Sequence, residues 1–141
     1  MPLRQIGDER GKVMHMLRSD APFYKGFGEI YFSTVNPGFV KAWHLQLATI
    51  RHYAVLAGTA RVVLYDDRDG SATSAVVNEF VLGEDNYHLL VIPPGVWSGF
   101  AAVGDQRALI ADCTTRPHDP ADVRRRDSLD PTIPYRWDMT R

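Results

Sequence analysis

Short apolar or alternating runs recur along this chain roughly every ten residues, the rhythm of β-strands separated by tight turns. The runs are Glu29 to Val35, Phe39 to Leu47, His52 to Leu56, Ala60 to Tyr65, Ala75 to Val81, His88 to Ile92 and Arg107 to Cys113. Gly38, Gly58, Gly70, Gly83, Gly95 and Gly104 punctuate them. The pattern predicts an all-β fold, an antiparallel sandwich or barrel. Helix is scarce: Pro120 to Asp127 is the one helix-like piece, too short and too charged to carry an apolar stripe. From Thr114 onward the prolines and the segment Ile133-Pro134-Tyr135-Arg136-Trp137 predict an extended C-terminal tail, pinned by Tyr135 and Trp137.

The composition sets the scale. At 141 residues, 45% apolar and 23% charged, the chain is expected to form a single domain over residues 1–141 around one core. A net charge of -1 argues against a general nucleic-acid or acidic-membrane binder, which needs a basic excess. The basic run Arg124-Arg125-Arg126 is expected to be a solvated face of the tail. Cys113 is the sole cysteine, so no intramolecular disulfide can form, and it is expected to be a buried, inert thiol. With no signal-like or membrane-spanning apolar stretch, a soluble cytoplasmic protein is expected.

Two spacings then bring in chemistry. Gly38-x5-His44-x-Gln46-x4-Arg51-x6-Gly58 resembles the first motif of a cupin barrel with two of three metal-binding positions replaced, and Pro93-x-Gly95-x2-Ser98 resembles the second, with Ser98 at the fourth metal-binding position. A guanidinium repels a divalent ion and offers it no lone pair, which argues against a bound transition metal. What remains is an imidazole beside a fixed cation, suited to proton abstraction or anion binding. Strand alternation sorts the rest. Glu29, Tyr31 and Ser33 share one face, as do His44 and Gln46, and Arg51 and Tyr53. If those faces look inward, the mouth of the barrel is a mixed-charge pocket. Lys41, three residues from His44, joins it only if its strand bulges or twists there.

Asp8-Glu9-Arg10-Gly11, Phe27 to Ser33, Lys41-Ala42-Trp43-His44-Leu45-Gln46, Asp66-Asp67-Arg68, Ser71-Ala72-Thr73 and Val91 to Phe100, in that order, resemble the dTDP-4-dehydrorhamnose 3,5-epimerase family from about Asp8 to Trp137. The resemblance implies a cupin-type antiparallel β-barrel (jelly roll), a homodimer, and cofactor-free chemistry on nucleotide-linked 4-keto-6-deoxy sugars. In that chemistry a histidine removes protons next to the ketone, a cation steadies the enolate, and a tyrosine returns protons from the other face. By position, His44 matches the base and Arg51 the cation, a lysine in the family. Arg10 matches a diphosphate-binding arginine and Lys41 another substrate-binding arginine. Glu29 and Tyr31 fall on a ligand-contacting strand, Asp122 lies near a ligand-contacting glutamate, and His15 stands at a position usually acidic. Gln46, Tyr53 and Ser98 complete the expected substrate-binding set, Ser98 replacing a histidine.

Two departures matter. Ala111 falls where the proton-donating tyrosine belongs, leaving Tyr53, Tyr65 or water as the acid, and the chain ends before the distal aspartate that orients the base. A single epimerisation or a keto-sugar isomerisation therefore stands beside the double one. The rival reading is a non-catalytic sugar-nucleotide-binding cupin; a metal-dependent cupin is a third and weaker one.

Overall fold

A computed structural model describes residues 1–138. A hairpin of β1 (Gln5–Asp8) and β2 (Gly11–Met14) precedes two larger antiparallel sheets. The four-stranded sheet has the order β3-β10-β5-β8, built from β3 (Glu29–Val35), β5 (Arg51–Ala57), β8 (Leu90–Ile92) and β10 (Ala108–Thr114). The five-stranded sheet has the order β11-β4-β9-β6-β7, built from β4 (Val40–Gln46), β6 (Thr59–Asp66), β7 (Val77–Gly83), β9 (Val96–Ala102) and β11 (Val123–Arg125). The helix-like piece is only a 3-10 turn, Pro120–Asp122; beyond it the chain pairs with β4 as an edge strand. Among the described residues no helix is long and apolar enough to cross a membrane.

The fold is all-β and antiparallel, as expected, but the sheets do not close into a barrel. Strands β3, β8, β7 and β11 end their sheets without pairing across to the other sheet, so the two sheets face each other as a sandwich. Two of these edges are short: β8 stops at Ile92, ahead of Pro93, which has no N–H to extend a ladder, and β11 spans only Val123–Arg125.

Alternation explains where the apolar residues go. Val35, Val55, Val62, Leu64, Phe100, Ala102 and Ile110 point between the sheets as the main core. On the outer side of the five-stranded sheet, Trp43, Leu45, Val63 and Trp97 pack beneath Ile133, Tyr135 and Trp137 of the extended tail. The N-terminal segment covers the four-stranded sheet, where Leu3, Met16 and Phe23 pack against Ala54, Tyr87 and Leu89. Central strands β5, β6, β9 and β10 are thus buried on both faces; β5, β6 and β10 fall on runs expected from the sequence, whereas β9, interrupted by Ser98 and Gly99, was not among them. Gly58 makes the β5–β6 turn at a positive φ of 66°, and an added Cβ would lie 2.3 Å from the Arg107 carbonyl oxygen.

Candidate active site

At one end of the sandwich the apolar filling stops and a cavity of about 480 Å³ opens between the sheets. Its wall on the four-stranded sheet carries Tyr31, Ser33, Arg51, Tyr53, Ile110 and Asp112, and the facing wall carries Lys41, His44, Gln46 and Arg125. The register of β4 on β9 explains how Lys41 and His44 both look inward. Lys41 pairs with Phe100 and His44 with Ser98, two residues apart on β9, while the register shifts between Ala42 and His44. One extra residue in β4 therefore puts side chains three apart on the same face. Gly99 sits opposite that bulge, where a Cβ would come within 2.5 Å of the Ala42 Cβ.

Arg51 is almost fully buried, and its partners are neutral oxygens: Nη1 donates to Ser98 Oγ at 2.6 Å and to Tyr53 Oη at 3.3 Å, and Nη2 to the Val96 carbonyl at 3.2 Å. The guanidinium is fixed in place with no direct ion pair among the described residues, a costly arrangement that suits a group awaiting an anion. Across the cavity, burial together with Arg125, Arg51 and Lys41 pulls the His44 imidazole down to about 4, so it is neutral at pH 7 and ready to accept a proton. Burial also pushes the hydroxyls of Tyr31 and Tyr53 up, keeping both protonated.

Other expected site residues are not brought to the cavity. Arg10 lies on the exposed β1–β2 turn, paired with Asp8 at 2.6 Å. His15 is fixed through its main chain, its carbonyl accepting from Tyr87 Oη at 2.8 Å. Asp122 holds the loop after β4, accepting from Ala48 N at 2.8 Å and Thr49 Oγ1 at 2.6 Å. Glu29 stands at the rim, where Oε1 accepts from His118 N at 2.9 Å. Ser98 is buried behind Arg51 and reaches the cavity only through it. Tyr65, considered as an acid, packs on the outer face with the Trp43 and Trp97 cluster and is not on the cavity wall.

Three ionisable wall residues among those described were not expected from the sequence. His118 arrives on the loop after β10, which no periodicity marks. Arg125, expected on a solvated face, stands in register with His44 because β11 joins the sheet; Arg126 instead covers Trp97 at 4.4 Å. Asp112 did leave a signal, as a lone acid two positions from Ile110 in an otherwise apolar run. Cys113 is buried, as expected. Among the described residues no group of three or more His, Cys, Asp or Glu side chains could hold a metal ion.

A polar cavity of this make-up is paralleled by a match to known proteins. The family model of the dTDP-4-dehydrorhamnose 3,5-epimerases matches residues 1–141. This chain belongs to the dTDP-4-dehydrorhamnose 3,5-epimerase family. It is 37% identical over 122 residues to a probable low-salt glycan biosynthesis epimerase of Haloferax volcanii, covering 85% of this chain and 78% of that protein. A crystal structure of a dTDP sugar isomerase from Desulfovibrio desulfuricans superposes with a TM-score of 0.94 at 50% identity, over 96% of this chain and 87% of that one. The Legionella pneumophila dTDP-6-deoxy-D-glucose-3,5-epimerase, solved with dTDP-4-keto-L-rhamnose, gives 0.84 at 25% identity, over 96% and 75%. As a member of this epimerase family the chain is a sugar-nucleotide epimerase, an enzyme of the isomerase class.

Proposed function

We propose that this enzyme inverts a carbon next to the ketone of a nucleotide-linked 4-keto-6-deoxy sugar, with His44 as the base and Arg51 as the cation that holds the enolate. The observation that carries this reading is the presence, on the walls of one cavity, of a neutral imidazole and of a buried guanidinium whose partners among the described residues are neutral oxygens. The ketone makes the neighbouring C–H acidic; His44 takes that proton as negative charge builds on the oxygen beside Arg51, so the cation acts most strongly in the transition state. Lys41, oriented by Ser33 Oγ at 3.1 Å, and Arg125 supply positive charge at the mouth for the diphosphate. Bound phosphates would cancel the cations that depress His44 and so raise its basicity when substrate is present.

A homodimer belongs to the same reading. Phe27, Ile30 and Phe32 are exposed at and before β3, an apolar surface suited to a second copy, and Arg10 on its exposed turn would meet a cavity only from a neighbouring copy. So does a cytoplasmic setting, because a charged nucleotide sugar does not cross a bilayer unaided. The non-catalytic alternative is not favoured, since the family and the matched proteins are epimerases.

The test is incubation with dTDP-4-keto-6-deoxyglucose in D₂O, with NMR of the positions next to the ketone. Deuterium should enter with the unaltered protein. With His44→Asn that exchange should nearly vanish while affinity stays within about tenfold, because the lost interaction acts mainly in the transition state. Undiminished exchange in the variant would assign the base elsewhere.

A further inference from the structure

Asp112 is only 1% exposed and lines the cavity, and neither carboxylate oxygen makes a well-formed hydrogen bond among the described residues, the Tyr31 hydroxyl and the His52 main chain being the donors that come near it. Leaving a buried carboxyl unpaired costs stability, and nothing in the packing of the sheet requires one at this position. It stands at the middle of a row, paired across β3 with Tyr31 and across β5 with Tyr53, both of which line the cavity. Ala111, where the resemblance puts the family's proton-donating tyrosine, pairs with Phe32 and Ala54 and turns away from the cavity. Asp112 is therefore the inward-facing acid nearest that place in the chain. It also belongs to the four-stranded sheet, whereas His44 belongs to the facing five-stranded sheet. A sugar ring lying between the sheets turns one face to His44 and the other to Asp112.

We propose that Asp112 is a second catalytic residue, the acid that delivers a proton to the face of the sugar opposite His44. This rests on reading His44 as the base. Inversion needs two groups on opposite sides of one carbon, and the walls supply them. His44 takes the proton, the C–H electron pair becomes the C=C bond, and the carbonyl π pair moves onto oxygen beside Arg51. The Asp112 O–H then protonates the same carbon from its own side, the carbonyl re-forms, and an aspartate and an imidazolium remain. Exchange with water resets both. Burial lifts the Asp112 carboxyl to about 6, with Glu29 adding to the rise and Tyr31, Arg51 and the His52 main chain opposing it. Among the described residues the other charged or titratable groups facing it are Tyr53 beside it, His44, Lys41 and Arg125 across the cavity, and His118 on the loop after β10. A carboxyl held there keeps its proton far better than an ordinary aspartate and gives it up more readily than a tyrosine.

Asp112→Asn, which keeps the shape and removes the acid, tests this in D₂O with the same keto sugar. Inversion should slow by about 10² or more, while deuterium still enters the same carbon with configuration retained, carried by His44 alone. Inversion within about threefold of the unaltered protein would overturn the proposal and leave the His44 reading intact; loss of exchange together with inversion in a folded variant would also overturn it, by making Asp112 part of the first step. No exchange in the unaltered protein would sink both readings. The pH profile of the unaltered protein gives a check that no folding defect can obscure. Inversion should fall with rising pH as Asp112 loses its proton while exchange does not, and parallel profiles between about pH 5 and 9 would overturn the assignment.

Discussion

Ser98 Oγ accepts a hydrogen bond from Arg51 Nη1 at 2.6 Å, so the residue at the fourth metal-binding position of the cupin spacing serves here to hold a cation. Arg51 starts β5 and Ser98 lies on β9, so this bond also ties the two facing sheets together at the floor of the cavity.

Ser98→Ala removes that tie and leaves Arg51 with Tyr53 and the Val96 carbonyl. We expect kcat to fall about tenfold with a smaller change in KM, because a loosened guanidinium loses most where charge develops. Arg51→Met should lower kcat by about 10² to 10³, the usual cost of losing an oxyanion-stabilising donor. Steady-state kinetics on the keto sugar checks both; a Ser98→Ala effect confined to KM would mean that Ser98 serves binding alone.

The cations of the mouth tune the base. Arg125 is the largest charge effect holding His44 near 4, after burial itself. Arg125→Ala should therefore raise the His44 titration toward its ordinary value and weaken nucleotide diphosphate binding with a shallower salt dependence. Histidine NMR titration and calorimetry at several salt concentrations measure these. An unmoved imidazole would place Arg125 too far from His44 to act.

Asp112 trades stability for chemistry. Its folded carboxyl is raised from 3.8 to about 6, so between those values the folded state binds more protons than the unfolded one and stability falls as pH rises. His44 works in the opposite sense, its depressed folded value costing stability as pH drops from 6.5 toward about 4. Asp112→Asn should thus stabilise the protein at pH 7, by up to about 3 kcal/mol, and the gain should shrink as pH falls through about 6 toward 4. Denaturant melts across that range give the answer; a destabilised variant at pH 7 would show that the carboxylate is satisfied in solution.

Gly99→Ala should disturb the site from behind. The new methyl would press on the Ala42 Cβ at 2.5 Å and on Trp137 Cζ2 at 2.9 Å, opposite the bulge that turns Lys41 inward. Overpacking of this kind costs about 1 to 3 kcal/mol, and substrate affinity should fall with it as Lys41 shifts. Thermal melts and binding isotherms test the pair; full affinity in a destabilised variant would uncouple the bulge from the site.

What could be read from the chain was what short-range rules govern. Period-two alternation placed β3 to β8 and β10, though not β1, β2, β9 or β11, and the inward sets Tyr31 and Ser33, His44 and Gln46, and Arg51 and Tyr53 came out on the cavity wall, because side-chain direction in a strand is local geometry. The family was legible for a related reason, since motif spacing is carried by sequence alone. The tertiary structure decided what depends on pairing between distant segments. Only the β4–β9 register brought Lys41 inward, only the return of β11 to β4 put Arg125 beside His44, and only the β3-β10-β5 order set Asp112 between two tyrosines. Sheet closure was decided there too, because it turns on whether short edge strands find partners, and the edges β8 and β11 find none in the opposite sheet. Burial was the last such property: the charge state of His44 and Asp112 depends on what the fold packs around them, which no spacing along the chain encodes.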